Sequence, residues 1–357
     1  MPCQGTKNDW AMHELDPENL TSYLIDRGWL PAQSAVDVQP LAWGVSNLVL
    51  RAEPQGDPAL VIKQSRPQLR TKIDWFSRCE RIYREADILR AIAPLLPAGT
   101  VPRVLFEDRE NYVLGLEAIR ADHLVWKQLL LENQLDNAVA KSLGTLLGHV
   151  HHKTAGQSSL LPDAEDWSLF DELRIDPFYR WIARIHSPIE PAITNLIDEM
   201  SRHRVCLVLA DFSPKNVLIH ADGVSLVDFE TGHYGDPAFD LGFFLSHLLL
   251  KSLRWGDAAP QWRQLINLFW NHYQNAVGRG LASPVAAEAT GARAVRHLAA
   301  CLLARIDGKS TVDYLTESWQ PEFIRGLALC WLQVPPANLD MALDDFFQKS
   351  FPFTCRL

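Results

Sequence analysis

The stretch LVLADFSPKNVLIHADGVSLVDFETG, residues 207–232, decides the fold. It sets three polar side chains at the ends of short apolar runs. Asp211 follows the run VCLVL, Asn216 precedes VLI, and Asp228 ends SLV. Between the last two runs stands Ala221-Asp222-Gly223, which reads as the tight turn of a β-hairpin. A hairpin returns the chain to where it left, so Asn216 and Asp228 arrive at the same end. A carboxylate and an amide oxygen side by side, with a second carboxylate nearby, suit a hard divalent cation. Mg²⁺ is such a cation, since it keeps several waters and binds phosphate.

In phosphoryl transfer by kinases, D-x-x-x-x-N supplies a base and a metal ligand, and a following Asp holds further metal contacts. DFSPKN at 211–216 has that spacing, and DFE at 228–230 stands where DFG would. The plainer reading is that Asp211 caps a turn and Asp228 ends a strand. Upstream, Lys63 lies inside the apolar run ALVIKQ. Glu85 lies on the apolar stripe of a helix that also carries Ile82, Ala86, Leu89 and Ile92. A charge on a buried stripe needs a partner, because an unpaired buried charge costs roughly several kcal/mol. An ion pair between Lys63 and Glu85 solves both puzzles, and in kinases such a pair orients the lysine toward nucleotide phosphates. An edge-strand lysine and a helix carboxylate reaching solvent are the alternatives. In LAWGVSNLVLR, residues 41–51, Gly44, Ser46 and Asn47 can offer donors to phosphate oxygens or form an ordinary turn.

The texture along the chain changes twice. DPENLTSYLIDRG, residues 16–28, reads as a helix capped by Asp16, with Pro17 in its first turn and Gly28 at its exit. From 36 the pattern is strand-like, then helical over 74–94, then a strand pair in VLFEDRENYVLGLEA. Beyond 119 it is mainly helical, interrupted by the hairpin. The expected fold class is α+β, with a small β-rich lobe holding one long helix and a larger, mainly helical lobe. The expected division is a helical extension over 1–35, the small lobe over 36–119 and the large lobe over 120–357.

Bulk properties narrow the function classes. The formal net charge of −9 argues against a nucleic-acid partner, which favours a basic surface. It gives weak support to a cationic substrate. The 6 cysteines form no C-x-x-C pair, so zinc and redox motifs are not suggested and reduced thiols in a cytosolic compartment are expected. The N-terminal residues lack the apolar core of a signal peptide. The longest apolar run, LGFFLSHLLL, is about half of the ~20 residues that span a bilayer. A cytoplasmic protein without a membrane partner is expected.

The order of these parts resembles the aminoglycoside phosphotransferase and choline kinase-like superfamily of small-molecule kinases, which shares the protein-kinase fold. The matching pieces are GVSNLVLR, VIKQ, RIYREADILRAI, LVLADFSPKNVLI, LVDFE and HYGDPAFDLGFFLSHLL. The resemblance implies Asp211 as catalytic base, Asn216 and Asp228 as magnesium ligands, and Lys63 with Glu85 as the phosphate-positioning pair. It implies ATP and Mg²⁺ as cofactors and a segment around Leu114 to Ile119 that joins the lobes beside the adenine. Asp240 is implied to brace the catalytic loop from below, while Asp236 and Pro237 read as a helix cap and first turn.

The chain departs from these patterns in three places. Ser213 stands where protein kinases commonly carry lysine, and only twelve positions separate Asp228 from Asp240. That spacing leaves no room for a peptide-docking activation segment, so the expected acceptor is a small-molecule hydroxyl. Leu209-Ala210-Asp211 replaces the family's usual His-Gly-Asp, which admits a non-catalytic nucleotide-binding protein of the same fold as the alternative. His149, His151 and His152 read as the basic end of a helix and not as a zinc site, since i, i+4 pairing is absent. Asp340, Asp344 and Asp345 read as a solvated helix face, and Trp255, Trp262 and Trp270 as core.

Overall fold

Strand-like alternation between 36 and 65 becomes three antiparallel strands, β1 (Val36–Pro40), β2 (Asn47–Pro54) and β3 (Leu60–Ser65). The computed structural model describes residues 12–41, 46–71, 73–278, 283 and 285–354. The helix α1 (Leu20–Asp26) precedes the strands, and α2 (Arg81–Ile92), β4 (Val104–Asp108) and β5 (Val113–Glu117) follow. The sheet order is β1-β2-β3-β5-β4, so β3 is central. Lys63 on β3 stands opposite Val49 and Leu114 and is buried, which removes the edge-strand reading.

The core of this unit forms where α1 lays Leu20, Tyr23 and Leu24 against Leu50, Ala52, Ile62 and Val113 of the sheet. Each such side chain contributes about 1.5–3 kcal/mol by leaving water. The Asp16 carboxylate accepts from the N–H groups of Glu18 and Asn19 at 2.8 Å, a turn that precedes the helix by a few residues. Gly28 leaves α1 at φ +74°, a backbone conformation that disfavours side chains.

α2 begins at Arg81, not at 74 as the apolar spacing suggests. The Arg81 guanidinium is fully buried and donates to the carbonyls of Ser46, Arg66, Ser77 and Arg78. The carbonyls of Arg66, Ser77 and Arg78 are available because these residues lie outside helix and strand.

Two compact units result, one drawn from Met1–Arg70, Asp74–Tyr83 and Arg103–Ala118, the other from Thr71–Ile73, Arg84–Pro102 and Ile119–Leu357. Besides α2 from Arg84 onward, the second unit holds β6 (Leu124–Val125), α3 (Trp126–Leu131) and α4 (Asn137–Thr154). Next come α5 (Ser168–Phe170), a wide-turned helix over Asp171–Arg180, α6 (Trp181–Ile185) and α7 (Glu190–Arg202). Pro177 sits inside the wide-turned helix and has no N–H to give. Four short strands follow: β7 (Cys206–Val208), β8 (Val217–His220), β9 (Gly223–Leu226) and β10 (His233–Gly235). The chain closes with α8 (Pro237–Ser252), α9 (Ala259–Val277), α10 (Ala287–Asp307), α11 (Trp319–Gln333) and α12 (Leu339–Thr354).

Every residue of α8 is buried, as an almost entirely apolar helix must be. Its Gly242 lies where a Cβ would fall 2.6 Å from Leu298 N, so α10 can approach closely. Among the described residues, no helix is long and apolar enough to cross a membrane.

Candidate active site

The site is assembled around the segment between β7 and β8. β8 and β9 pair as the expected hairpin, with His220 opposite Gly223. Val227 N donates to Asn216 O at 3.1 Å, which sets Asp228 beside Asn216. The Asn216 amide donates to Asp211 twice, at 2.9 Å to the carboxylate and 3.0 Å to the main-chain oxygen. Asp211, Asn216 and Asp228 therefore meet in one place. Glu85 reaches the same segment: its buried carboxylate accepts from Phe229 N at 3.4 Å.

Two cations complete the group. Lys215 Nζ lies 2.8 Å from Asp211 and 3.8 Å from Asp228. Burial works against the Lys215 ammonium, but Asp211 and then Asp228 outweigh it and hold its pKa above the ordinary lysine value. Arg174, on the wide-turned helix, donates from Nε to Ala210 O at 2.7 Å and places Nη2 2.9 Å from Asp211 Oδ1. Its guanidinium also lies 5.3 Å from the Phe243 ring centre. A carboxylate offers about four acceptor positions. Lys215 and Asn216 occupy Oδ2 while Arg174 takes one side of Oδ1, so the free acceptor position is on Oδ1.

Behind this front the main chain is pinned. Both Leu209 and Ala210 donate their N–H to the Asp240 carboxylate at 2.7 Å. Asp240 is fully buried in the first turn of α8 and also lies 3.1 Å from His151 Nε2. With that N–H given to Asp240, His151 Nδ1 accepts from the Tyr273 hydroxyl at 2.9 Å. His151 thus faces inward from α4 and is no part of a solvated basic helix end. Ala210 adopts φ +58°, a left-handed conformation that costs an L-residue about 1–2 kcal/mol. Leu209, which the resemblance would replace by histidine, is buried in the core. The loop is therefore braced by Asp240 and His151 without the family's usual pair.

The remaining expected residues belong to the first unit. Lys63 is buried on the central strand of the first unit. Ser46 and Asn47, also in that unit, direct their oxygens to Arg81 Nη2, at 2.5 Å from Ser46 O and 3.4 Å from Asn47 Oδ1. Gly44 lies outside the described residues. The chain passes from the first unit to the second for the last time between Ala118 and Ile119.

The acidic stretch of α12 is structurally occupied. Asp345 accepts from Trp331 Nε1 and pairs with Lys349, and Asp344 pairs with Arg263. Trp262 and Trp270 are core, whereas Trp255 is only half-buried. No group of three or more His, Cys, Asp or Glu fit for a metal occurs among the described residues. The Asp228 carboxylate and Asn216 amide are a hard-oxygen pair of the kind Mg²⁺ accepts along with water and phosphate.

Comparison with known proteins gives the family and the fold. The sequence profile described as the phosphotransferase enzyme family matches residues 37–276. A 4-hydroxytryptamine kinase of Psilocybe cyanescens is 25% identical over 268 residues, covering 65% of this chain and 73% of that one. A methylthioribose kinase of Klebsiella pneumoniae is 24% identical over 243 residues, which is 60% of each chain. Among solved structures, the amicoumacin kinase hAmiN in complex with AMP-PNP, Ca²⁺ and Ami superposes with TM-score 0.55 at 12% identity, covering 89% of this chain and 94% of that one. A choline kinase of Cryptosporidium parvum superposes with TM-score 0.51 at 12% identity, covering 96% and 95%. The shared fold is the protein-kinase-like one, with a small antiparallel sheet unit and a helical unit.

Proposed function

The chain belongs to the phosphotransferase enzyme family, and we propose that it moves the γ-phosphoryl group of ATP, in a Mg²⁺-dependent reaction, to a hydroxyl of a small molecule. The observation that carries this reading is the Asp211 carboxylate. It is fixed by Arg174, Lys215 and Asn216, with one acceptor position left on Oδ1 and Asp228 just beyond Lys215.

In the proposed reaction the acceptor hydroxyl donates to Asp211 Oδ1. The hydroxyl oxygen forms a bond to the γ-phosphorus as the bond from that phosphorus to the β–γ bridging oxygen breaks. The proton passes to Asp211 and ADP leaves. Positioning supplies most of the acceleration in such reactions, and a pre-fixed base removes the need to order it during the step. Asn216 and Asp228 would hold Mg²⁺, which neutralises charge on the phosphoryl oxygens when bound. Lys215 keeps a positive charge between Asp211 and Asp228, where the transferred group passes. Lys63 and Glu85 are proposed to position the α- and β-phosphates, with Gly44, Ser46 and Asn47 as further nucleotide-binding residues. The bracing of Leu209 and Ala210 by Asp240 supports catalysis over the non-catalytic alternative, since it fixes the segment that the substitutions were expected to loosen.

A thermal-shift titration with ATP tests the reading, with and without Mg²⁺, on the wild type and on Asp228→Ala. Ligand at a hundred times its dissociation constant adds about 2.7 kcal/mol to stability, which raises the melting midpoint by several degrees. A Mg²⁺-dependent rise that Asp228→Ala abolishes is expected. No rise in any condition would sink the nucleotide assignment.

A further inference from the structure

The second unit contains a cavity of about 500 Å³ that shares Lys215 with the proposed catalytic group. Its walls come from α3, α8, α10 and the loop after α10, and they are cationic. Lys127, Lys251 and Arg305 line it together with His247. Lys309 is on the wall too, but Asp176 lies 3.6 Å from its ammonium. Among the described residues, the one carboxylate on the wall is Asp313, which is exposed and forms no ion pair with these cations.

The pairing within the wall is incomplete. Lys251 is 1% exposed, and its Nζ has one hydrogen bond, to His247 O at 3.2 Å, beside the face of Tyr314 at 5.0 Å. Arg305 gives Nη1 to Ser310, while its buried Nε has no partner. His247 is 6% exposed, and its buried Nε2 has no partner either. No ion pair satisfies Lys127, Lys251 or Arg305 among the described residues. Burial, and then Arg305 and Lys127, hold the Lys251 pKa well below the ordinary lysine value. Burial pulls His247 down in the same way, with Lys251 and Arg305 adding to it. Clustered positive charge of this kind is stabilised by an anion and repels a cation.

Building on the phosphotransferase reading, we propose that this cavity is the acceptor site. The acceptor carries, besides the hydroxyl that is phosphorylated, a carboxylate or phosphate group bound by Lys127, His247, Lys251 and Arg305. Lys215 joins the two sites, so the hydroxyl end lies toward Asp211 and the anionic end toward α8 and α10. An acceptor whose sole charge is an amine is disfavoured by the same charges.

Calorimetric titration tests this on the full chain. Mg-AMP-PNP is titrated first, and then inorganic phosphate, glycerate, glycerol and ethanolamine are titrated into the nucleotide-saturated protein. At least one of the two anions is expected to bind, phosphate or glycerate telling which anionic group the wall prefers, whereas glycerol and ethanolamine do not. Lys127→Gln, on a half-buried position, and Arg305→Gln are each expected to weaken the anion tenfold or more. Both are expected to leave AMP-PNP affinity within twofold. Absence of anion binding, equal binding in both variants, or preferential binding of ethanolamine overturns the inference. So does a parallel loss of AMP-PNP affinity in the variants, which would assign these cations to the nucleotide. Failure of AMP-PNP to bind the wild type sinks the kinase reading alone, and the anion titrations then judge the cavity on their own.

Discussion

Two clusters of buried charge lie side by side in the helical unit, and they are built on opposite rules. Around Asp211 every charge has a partner: Arg174 and Lys215 on the carboxylate, Asp240 on two main-chain N–H groups, His151 on Asp240. In the neighbouring cavity Lys127, Lys251 and Arg305 face one another, and among the described residues none of them has an ion pair. A satisfied network fixes geometry, because each member is held by at least two others. An unsatisfied one stores affinity for a charge of opposite sign. The first cluster is suited to chemistry and the second to recognition.

The comparison breaks most visibly if the satisfied cluster is altered by one atom. Asp211→Asn keeps the shape but removes the proposed proton acceptor. Turnover is expected to fall by about 10³-fold, within the range set by loss of a general base. The nucleotide-induced thermal shift should persist. Turnover within tenfold of the wild type would reassign the base.

Asp240→Ala comes next. It strands the N–H groups of Leu209 and Ala210 and leaves His151 without its carboxylate. Each orphaned buried donor costs about 1–3 kcal/mol, so a loss of about 3 kcal/mol in unfolding free energy is expected. Urea denaturation measures it, and a loss below about 1 kcal/mol would mean the brace is not a stabilising device.

The satisfied cluster was partly legible in the sequence, and the unsatisfied one was not. Asp211, Asn216 and Asp228 announce themselves because a hairpin is a local structure and its turn chemistry is written in consecutive residues. Lys63 and Glu85 stand out as charges inside apolar runs, and Asp240 as a carboxylate one turn past a cap. Arg174 gave no such signal, since Pro177 and the wide turn blur the helical period on which it lies. His151 looked like one of three histidines at a helix end. Its inward direction is set by Asp240 and Tyr273, distant in sequence.

The cavity has no local pattern at all. Lys251 reads as an ordinary basic residue in the last turn of a helix, and Arg305 likewise. Only packing of α3, α8 and α10 brings them together. The overall charge of −9 even leaned the other way, toward a cationic substrate. Charge sums describe surfaces, and recognition depends on which few charges are buried.

A charge removal in the unsatisfied cluster should act with the reverse sign of Asp240→Ala. Lys251→Met keeps the length of the side chain and deletes a buried cation, and about 1 kcal/mol of added stability at pH 7 is expected. The pH dependence follows from the depressed pKa of Lys251. Between the folded-state value and the ordinary value near 10.4, the unfolded chain binds more protons, so wild-type stability rises with pH across that window. The advantage of Lys251→Met should therefore narrow as pH approaches 10. Added phosphate should narrow it as well, by restoring worth to the cation. A variant less stable than wild type at pH 7 would show that the lysine already has its counter-charge.

The smallest effect tests the strained point of the satisfied cluster. Ala210 sits at φ +58°, where glycine is at ease. Ala210→Gly relieves about 1–2 kcal/mol of local strain and returns roughly 0.4–1 kcal/mol to the unfolded chain as entropy. A net gain of about 0.5 kcal/mol is expected. Turnover should stay within twofold, because the hydrogen bonds from Leu209 and Ala210 to Asp240, and from Arg174 to Ala210 O, already hold the loop. A tenfold rise in turnover would mean that Ala210 keeps Asp211 away from its working position. The cluster would then be satisfied in its charges but not in its backbone, and the sharp division between the two regions would not hold.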